Sequence, residues 1–408
     1  MSPWRIAAAG LVSLAVAVGI GRFAFTPLLP MMLADGVLDL STASWLASAN
    51  YFGYVVGALL CTLQPWIWRR LGNPPPPQLP VGVRAGLVAT ALLTLGMALQ
   101  VPAAWPALRF AAGVASAFVF VYTSGWCLSQ LALRGRPAMG ALIYTGPGVG
   151  IVLSGLAASG MVALHWAAAA GWLLFSVLAA LLTLLVWPVF HARNEVDASV
   201  ASGTPVAGLQ AASDDRTEMG LLALAYGLAG FGYIITATFL PVIARQALPG
   251  SAWLDLFWPL FGLGVIAGAL LASRTPTHAN RRLLLAGCYL VQTIGVASSL
   301  VSPTLAGFAI GSLLLGLPFT ALTFFAMQEV RRLRPDQAAS FIGLLTAVYG
   351  FGQIVGPLLT AALLARSATP GLGFSRSLEM AAAALLAGAL LYLWMARRHP
   401  ARTGSAAI

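Results

Sequence analysis

Charge is scarce in this chain: only 8% of its 408 residues are charged, whereas 59% are hydrophobic. A soluble domain carries roughly 25% charged residues, so this composition excludes an ordinary water-soluble protein and a disordered one. Lysine is missing, since all 22 basic residues are arginine, and this excludes a phosphate-binding loop of the GxxxxGK[ST] type. Cysteine is rare and odd in number. We expect Cys61, Cys127 and Cys288, which lie in apolar segments, to pack as small core residues without disulfides or metal.

Long apolar runs are what the sequence has in place of charge. A membrane-spanning helix needs about 20 apolar residues, and the runs predict six such helices on each side of a polar linker at 191–217. The linker separates an N-terminal unit, 1–190, from a C-terminal unit, 218–408. The first run is too long for a signal peptide core, so we expect it to be retained. The predicted spans are 5–33, 43–66, 84–101, 105–131, 138–163, 166–190, 219–244, 252–273, 282–301, 304–329, 338–365 and 375–396.

The arginines predict how these spans are oriented. With a cytoplasmic N terminus, 17 arginines fall in cytoplasmic segments and three, Arg245, Arg366 and Arg376, fall in external ones. Cytoplasmic loops carry the basic excess, so both termini are expected in the cytoplasm, most simply of a bacterial inner membrane. The net charge of +11 is then explained by the orientation of the spans in the membrane and does not indicate a nucleic-acid partner. The remaining two, Arg22 and Arg109, lie inside predicted spans.

The two units repeat each other in sequence. Blocks of helices 1 and 2 recur at one constant spacing in helices 7 and 8, and the end of helix 4 recurs at the end of helix 10. Because six spans separate the copies, both start on the same side and are related by an axis along the membrane normal. Such a duplication predicts a binding site between the units near the membrane middle. The matched blocks are 19–30 with 230–241, 53–60 with 264–271, and 130–137 with 328–335.

Four segments carry a resemblance to a known family. They are GIGRFAFTPLLPMM in helix 1, ANYFGYVVGALL in helix 2, LRFAAGVASA in helix 4 and YTGPGVGIVLSG in helix 5. On these segments the chain resembles the YbfB/YjiJ-type branch of the major facilitator superfamily over essentially its whole length. The resemblance implies an all-α integral membrane protein of 12 helices in two six-helix bundles, which rock about a central site. In one departure, the loop at 68–72 has no carboxylate where the family usually carries one.

Arg22 lies near the middle of helix 1, where an arginine costs roughly 2.5–3.5 kcal/mol on insertion scales. We expect it to face the bundle interior, and two roles stay open. It either binds an anionic group of a substrate or coupling partner, or it is tied to backbone carbonyls as a structural clamp. Arg109 lies nearer the outer end of helix 4, where snorkelling relieves much of its cost. The resemblance implies a coupling role for Arg109, and the alternative is a structural contact in the outer leaflet.

Proton coupling requires a titratable carboxylate in the membrane, and the spans offer few. Asp255, early in helix 8, is the best of them and is our candidate for coupling. Glu379, early in helix 12, is expected at the membrane interface. Glu329, at the end of helix 10, is expected to form salt bridges with Arg331 and Arg332.

Glycine and proline mark two helices as kinked and closely packed, because proline removes a helical hydrogen bond and glycine lets backbones approach. We expect these positions to act as hinge and packing points between the units, and the family associates the helix 5 motif with exporters. The residues are Gly146, Pro147 and Gly150 in helix 5, and Gly352, Gly356 and Pro357 in helix 11.

The family's central cavity is lined mainly by helices 1, 4, 7 and 10, flanked by 2, 5, 8 and 11. Polar and aromatic residues on these helices are our candidates for substrate binding. Together with the arginine of helix 1 they suggest an aromatic-lined cavity for a small amphipathic anion. They are Arg22, Phe23, Thr26, Asn50, Tyr54, Tyr122, Trp126, Tyr144, Tyr233, Thr236, Trp258, Phe324, Tyr349 and Gln353.

The sequence therefore predicts a secondary transporter that works by alternating access, not an enzyme. Its expected partners are a small-molecule substrate, the lipid bilayer and, as a coupling ion, the proton. We expect no cofactor, metal or nucleic acid, and a monomeric state. Two alternatives stay open: an exporter of drug-like compounds or metabolites by proton antiport, and a channel or facilitator without ion coupling.

Overall fold

The computed structural model describes residues 1–70, 72, 78–191, 213–251, 253–276, 279–334 and 338–398. Within these ranges the chain is helical without strands, and twelve helices are long and apolar enough to cross a membrane. We number them α1 to α12. Each overlaps one predicted span, so the all-helical membrane fold is confirmed. Their bounds are Pro3–Ala34, Leu40–Gln64, Leu79–Ala98, Pro102–Leu133, Pro137–Ala163, Ala168–Val186, Thr217–Ala247, Leu254–Ser273, Arg281–Val301, Leu305–Leu333, Phe341–Arg366 and Pro370–Arg398.

The predicted linker between the two units lies mostly outside the described residues. Residues 192–212 belong to this part, as do the proline-rich loop at 73–77 and the C-terminal residues 399–408. The helix that contains α7 begins at Ser213. The last residues of the linker predicted at 191–217 are therefore already helical.

Polar side chains cap several of the helices. A carboxylate oxygen of Asp39 accepts the backbone N–H of Thr42 at 2.7 Å in the first turn of α2. This hydrogen bond holds the pKa of Asp39 below its usual value, because it stabilises the charged carboxylate. Asn280 and Thr304 accept backbone N–H groups at the starts of α9 and α10. Each cap satisfies a donor that has no partner inside its own helix.

Glycines pair equivalent helices inside each unit. Gly146 and Gly150 of α5 lie against the backbone of α1, and a Cβ atom at either position would overlap a carbonyl oxygen. Gly352 of α11 lies equally close to the backbone of α7, and Gly356 lies against isoleucine side chains of that helix. The same packing thus occurs in both units, as the sequence repeat predicts.

The nearest neighbours of these four glycines lie in their own unit and not at the interface between the units, and their role as hinges stays a prediction. The contacts of α5 with the second unit include Gly148 against Gly262 and Gly155 against Pro259. Residues one helical turn apart share a face. Positions 146 and 150 therefore face α1, while 148 and 155, two turns apart, face α8.

Proline affects α5 and α11 differently. The α-helix of α5 is interrupted at Tyr144 and Thr145 and resumes at Gly146, with Pro147 in the first turn of the new segment. Proline fits there because the first turn needs no N–H donor. Pro357, in contrast, lies inside a helix that continues without interruption over Ala338–Arg366.

A buried network of charges ties α7, α9 and α10 together. Arg282 donates to Glu329 at 2.7 Å and also pairs with Glu218, and Arg332 donates to Glu329 at 2.7 Å. The predicted pair of Glu329 with Arg332 is present. The predicted pair with Arg331 is not found among the described residues, because the carboxylate turns toward α9 and Arg282 takes that place.

Candidate functional site

α1 is broken near its middle. Pro27 explains part of the break, because it has no N–H for the carbonyl of Phe23 and its ring displaces that carbonyl. The Phe23 carbonyl accepts the N–H of Thr26 at 3.2 Å instead. Irregular backbone in membrane-spanning helices commonly marks a substrate or ion site. The segments are an α-helix at Pro3–Leu14, a π-helix at Ala15–Ile20, a turn at 21–24 and an α-helix at Phe25–Ala34.

Arg22 lies in this turn with 5% of its surface exposed. Its guanidinium carbon is 4.3 Å from the ring centroid of Tyr54. The centroids of Phe23 and Tyr51 are both 5.2 Å away. Aromatic rings at these distances attract a cation through their electron-rich faces. The rings therefore stabilise a charge that would be costly at this depth in a membrane.

One edge of the same guanidinium group has no protein partner. The Nε and Nη2 atoms of Arg22 are buried, and neither has a hydrogen-bond partner among the described residues. The N–H bonds of these two atoms point the same way in the guanidinium plane, which suits the two oxygens of a carboxylate or phosphate. Of the two roles that the sequence left open, anion binding fits this edge, and it stays a prediction.

The second unit brings tyrosines to the same place. Tyr233 of α7 and Tyr349 of α11 both lie within electrostatic reach of Arg22. The ring of Tyr349 stacks between those of Tyr226 and Tyr233, with centroids 4.6 and 5.8 Å away. The side-chain amide of Gln353 donates to the Tyr233 hydroxyl. Helices α1, α2, α7 and α11 therefore form one central cluster, with its charge in the first unit and its rings divided between the two units.

Aromatic rings close this cluster on the side where α1 ends. Phe23 meets Trp258 of α8 and Phe319 of α10 edge-to-face, with centroids 5.9 Å apart in both pairs. Tyr233 also contacts Phe319, at 5.2 Å. Edge-to-face contacts of this kind fix ring orientation as well as burying apolar surface.

Three hydrogen bonds cross between the units within the described residues, and we call them the cross-unit bonds. Thr26 and Ala237 occupy matching positions of the sequence repeat, so their bond lies at the axis relating the units. All three lie at the level of Arg22 or on the side where α1 ends. They are Thr26 Oγ1 to the Ala237 carbonyl at 2.9 Å, Tyr51 Oη with Thr238 Oγ1 at 2.9 Å, and Ser48 Oγ to the Ile354 carbonyl at 3.1 Å.

Arg109 does not snorkel: its side chain is buried, with 2% exposed. Its Nη1 and Nη2 atoms donate to the carbonyls of Gly21 and Arg22, at 3.3 and 3.0 Å. Those carbonyls lie in the broken segment of α1, where helical hydrogen bonding is incomplete. Arg109 thus makes a structural contact, at the level of Arg22 and not in the outer leaflet, and its coupling role stays a prediction. Asn50 supports it from α2 by donating to the Arg109 carbonyl at 2.9 Å.

Asp255 lies away from the central cluster. It forms a 2.5 Å salt bridge with Arg245, across the connection between α7 and α8. Both side chains are partly exposed, at the end of α7 and the start of α8. A coupling role for Asp255 stays a prediction.

The structure brings together only part of the predicted binding set. Tyr122 hydrogen-bonds Gln64 at 3.2 Å, and the buried Trp126 packs on Phe190 with centroids 5.1 Å apart. Phe324 is 39% exposed. The predicted residues in the cluster or against it are Arg22, Phe23, Thr26, Tyr54, Tyr233, Trp258, Tyr349 and Gln353. Those whose described contacts lie elsewhere are Asn50, Tyr122, Trp126 and Phe324. Tyr144 packs on Phe120 but lies within electrostatic reach of Tyr54. The buried Thr236 hydroxyl has no hydrogen-bond partner among the described residues.

Two members of the cluster were missed in the sequence. Tyr51 lies three residues before Tyr54, and Tyr226 lies seven residues before Tyr233. Side chains at these spacings share a helix face, so the periodicity of aromatic residues could have found both. In the described ranges, no group of His, Cys, Asp and Glu side chains is arranged to hold a metal ion.

Comparison with known proteins gives a family and a fold. The family model described as "Uncharacterised MFS-type transporter YbfB" matches residues 14–393. A crystal structure of the nucleoside transporter NupG is similar, with a TM-score of 0.66 and 14% identity, and covers 97% of this chain and 99% of that chain. A structure of a NupG mutant has a TM-score of 0.68 and 15% identity, and covers 96% and 99%. No curated protein matches the chain significantly. At these identities the likeness to NupG shows the fold.

Proposed function

The chain belongs to the family described as uncharacterised MFS-type transporter YbfB, and on that premise we propose that it carries a small amphipathic anion by alternating access. The family makes it a multi-pass membrane transporter. The single observation that supports an anionic substrate is the buried, unpartnered edge of Arg22, which lies between the two units.

The energetics favour an anion at this edge. A buried donor without a partner costs about 1–3 kcal/mol, and more when it is charged. Each salt bridge between the described side chains involves Arg245, Arg282 or Arg332, so none of them supplies Arg22 with a carboxylate. An anionic solute supplies the missing charge and acceptors together. Binding then replaces two unmade hydrogen bonds with a charge-assisted pair.

The proposed orientation follows from the arginines. Both termini are placed in the cytoplasm, because 17 arginines fall on that side and three on the other. The cross-unit bonds then lie at the level of Arg22 or toward the external side. Tyr54, Tyr144 and Tyr349 stay partly exposed. This arrangement is consistent with a carrier that is closed on the external side.

Removing the cross-unit bonds is expected to favour opening on the external side. The double variant Thr26→Val, Tyr51→Phe loses two hydrogen bonds, each worth about 0.5–1.5 kcal/mol. Together they shift the ratio of open to closed molecules about 5- to 150-fold. The measurement is the rate at which a membrane-impermeant thiol reagent labels Ala237→Cys in a background without native cysteines.

A matched control is available for this experiment. Ser44 hydrogen-bonds only its own helix, through the Leu40 carbonyl at 2.8 Å, so Ser44→Ala should label like the parent. If the double variant also labels at the parent rate, the cross-unit bonds do not hold the external side closed.

Anion binding is tested by neutralising Arg22. The purified protein is screened by thermal shift against carboxylates, phosphates, sulfonates and neutral counterparts of each. At least one anion is expected to stabilise the parent, and Arg22→Gln should bind it about 10- to 100-fold more weakly, because a hydrogen bond to a charged group is worth about 1.5–3 kcal/mol. Flux of that anion into liposomes should saturate and show counterflow, which a channel does not.

The control removes an equal charge elsewhere. Arg5 is exposed at the start of α1, so Arg5→Gln should keep the affinity of the parent. Equal anion binding by Arg22→Gln and the parent would reject Arg22 as the binding group. Stabilisation by neutral solutes alone would reject an anionic substrate.

A further inference from the structure

We propose that the Arg22 site takes a monocarboxylate attached to a planar aromatic ring. This inference rests on the proposed function and narrows it from any small anion to one chemical class. Three features carry it: the shape of the unpartnered edge, the single positive charge available there, and the rings around it.

The shape of the edge selects a planar group with two oxygens. Nε and Nη2 of Arg22 offer two parallel N–H donors, which match the two oxygens of a carboxylate in one plane. Tyr54, Tyr51 and Phe23 surround the guanidinium at 4.3 to 5.2 Å. We infer that these rings take the faces of the guanidinium and leave its in-plane edge to the ligand. A flat carboxylate fits that edge better than a tetrahedral group.

The charge available at the site selects a monoanion. Arg109 is the other arginine of this region, and both of its Nη atoms already donate to carbonyls of α1. The Nε atom of Arg109 is buried without a described hydrogen-bond partner as well, but α1 holds both of its Nη atoms, so we infer that the ligand pairs with the one charge of Arg22. A carboxylate of charge −1 neutralises it, whereas a phosphate monoester carries about −1.5 to −2 at neutral pH and would leave excess negative charge buried.

The tyrosine rings near Arg22 favour a ligand in which the carboxylate is attached to an aromatic ring. Tyr54 and Tyr349 are both partly exposed, but the Tyr349 ring already stacks between Tyr226 and Tyr233, so Tyr54 is the ring that we infer to stack on a ligand. Tyr349 already stacks with Tyr226 at 4.6 Å, which holds its ring in a fixed plane. The Tyr233 hydroxyl accepts from Gln353, so its own proton can be donated to a ligand oxygen. Offset stacking on the Tyr54 ring adds about 0.5–1.5 kcal/mol to a planar ligand.

Four matched probes test the class by calorimetric titration of the purified protein. Benzoate carries both features, cyclohexanecarboxylate lacks the planar ring, phenylphosphonate at pH 8 carries a second charge, and benzamide lacks the charge. We expect benzoate to bind tightest. Cyclohexanecarboxylate should be about 2- to 10-fold weaker because ring stacking is lost. Phenylphosphonate and benzamide should each be at least about 10-fold weaker.

Variants then assign these preferences to residues. Arg22→Gln should weaken benzoate about 10- to 100-fold and leave benzamide unchanged, and Arg5→Gln should change neither. Tyr54→Leu should weaken benzoate more than cyclohexanecarboxylate. The ranking of the four probes on the parent protein stands even if a variant fails to fold.

The outcomes separate this inference from the proposed function. Tighter binding of phenylphosphonate or cyclohexanecarboxylate, with loss in Arg22→Gln, would overturn the aromatic monocarboxylate class and leave an anion carrier. Failure of all four probes to bind would also overturn the class. The wider anion screen would then show whether the protein binds any other anion, as the proposed function requires. Equal binding of benzoate and benzamide would overturn both.

Discussion

Replacing Arg282 with methionine is expected to lower the free energy of unfolding by about 3–5 kcal/mol. The arginine side chain is 3% exposed, and it lies between the carboxylates of Glu218 and Glu329. Without it, two buried negative charges face each other and only Arg332 remains as a described partner for Glu329. Removing one member of a buried pair is costly because the other charge stays desolvated. The measurement is equilibrium unfolding of the purified protein in mixed micelles.

Two further variants separate the network from a general effect of losing arginine. Arg331 is exposed one residue before Arg332, so Arg331→Met should stay within about 0.5 kcal/mol of the parent. The triple variant Glu218→Gln, Arg282→Met, Glu329→Gln removes the charges together and should recover most of the loss. A loss below about 1 kcal/mol in Arg282→Met would mean that the network is not what holds α7, α9 and α10 together.

Hydropathy and the internal repeat were enough to predict the fold. Twelve apolar runs gave twelve spans, and the repeat predicted two equivalent units. The bond between Thr26 and Ala237, which occupy matching repeat positions, follows from such an axis. The polar partners of each helix were harder to predict. Glu329 was assigned to its own neighbours in sequence, but its carboxylate also reaches Arg282 on another helix.

The central site was predicted only in part. The energetic cost of an arginine in the membrane can be predicted from the sequence, whereas the contacts between helices cannot. The cost of an arginine at mid-membrane depth is a local property, so Arg22 was identified from its position in the chain alone. Its ring partners depend on how α1, α2, α7 and α11 pack, and packing is not visible in a single sequence. Tyr51 was missed for this reason, although its spacing from Tyr54 carried a signal.

The roles of the two intramembrane arginines were also left open by the sequence, because they depend on contacts between helices. In the sequence they differ only in depth, and for each of them a functional and a structural role stayed open. The structure separates them by their acceptors. Arg109 donates to backbone carbonyls that the break in α1 leaves without helical donors, and Pro27 explains only part of that break. Arg22 keeps an edge with no described acceptor. The proposed anion site thus lies beside an arginine whose two Nη atoms are already held by the backbone.

Replacing Arg109 with glutamine is expected to reduce anion binding at Arg22 about 10- to 100-fold, although Arg109 itself does not face the ligand edge. Two carbonyls of α1 would lose their donors inside the membrane, where an unsatisfied acceptor costs about 1–3 kcal/mol. The broken segment would then rearrange to recover hydrogen bonds and turn Arg22 away from its ring partners. Arg109→Lys keeps the charge but lacks the forked donors, so it should be only partly active. Titration with benzoate measures both variants.

Counterflow in liposomes distinguishes this positioning role from a role of Arg109 in proton coupling. Counterflow exchanges labelled for unlabelled solute at equal pH on both sides, so it needs an intact binding site but no proton gradient. If Arg109 positions Arg22, Arg109→Gln should lose counterflow and gradient-driven uptake to the same extent, since both depend on binding. If Arg109 serves coupling instead, counterflow should persist while uptake stops responding to the gradient. Preserved counterflow in Arg109→Gln would therefore contradict the positioning role drawn from its two hydrogen bonds to α1.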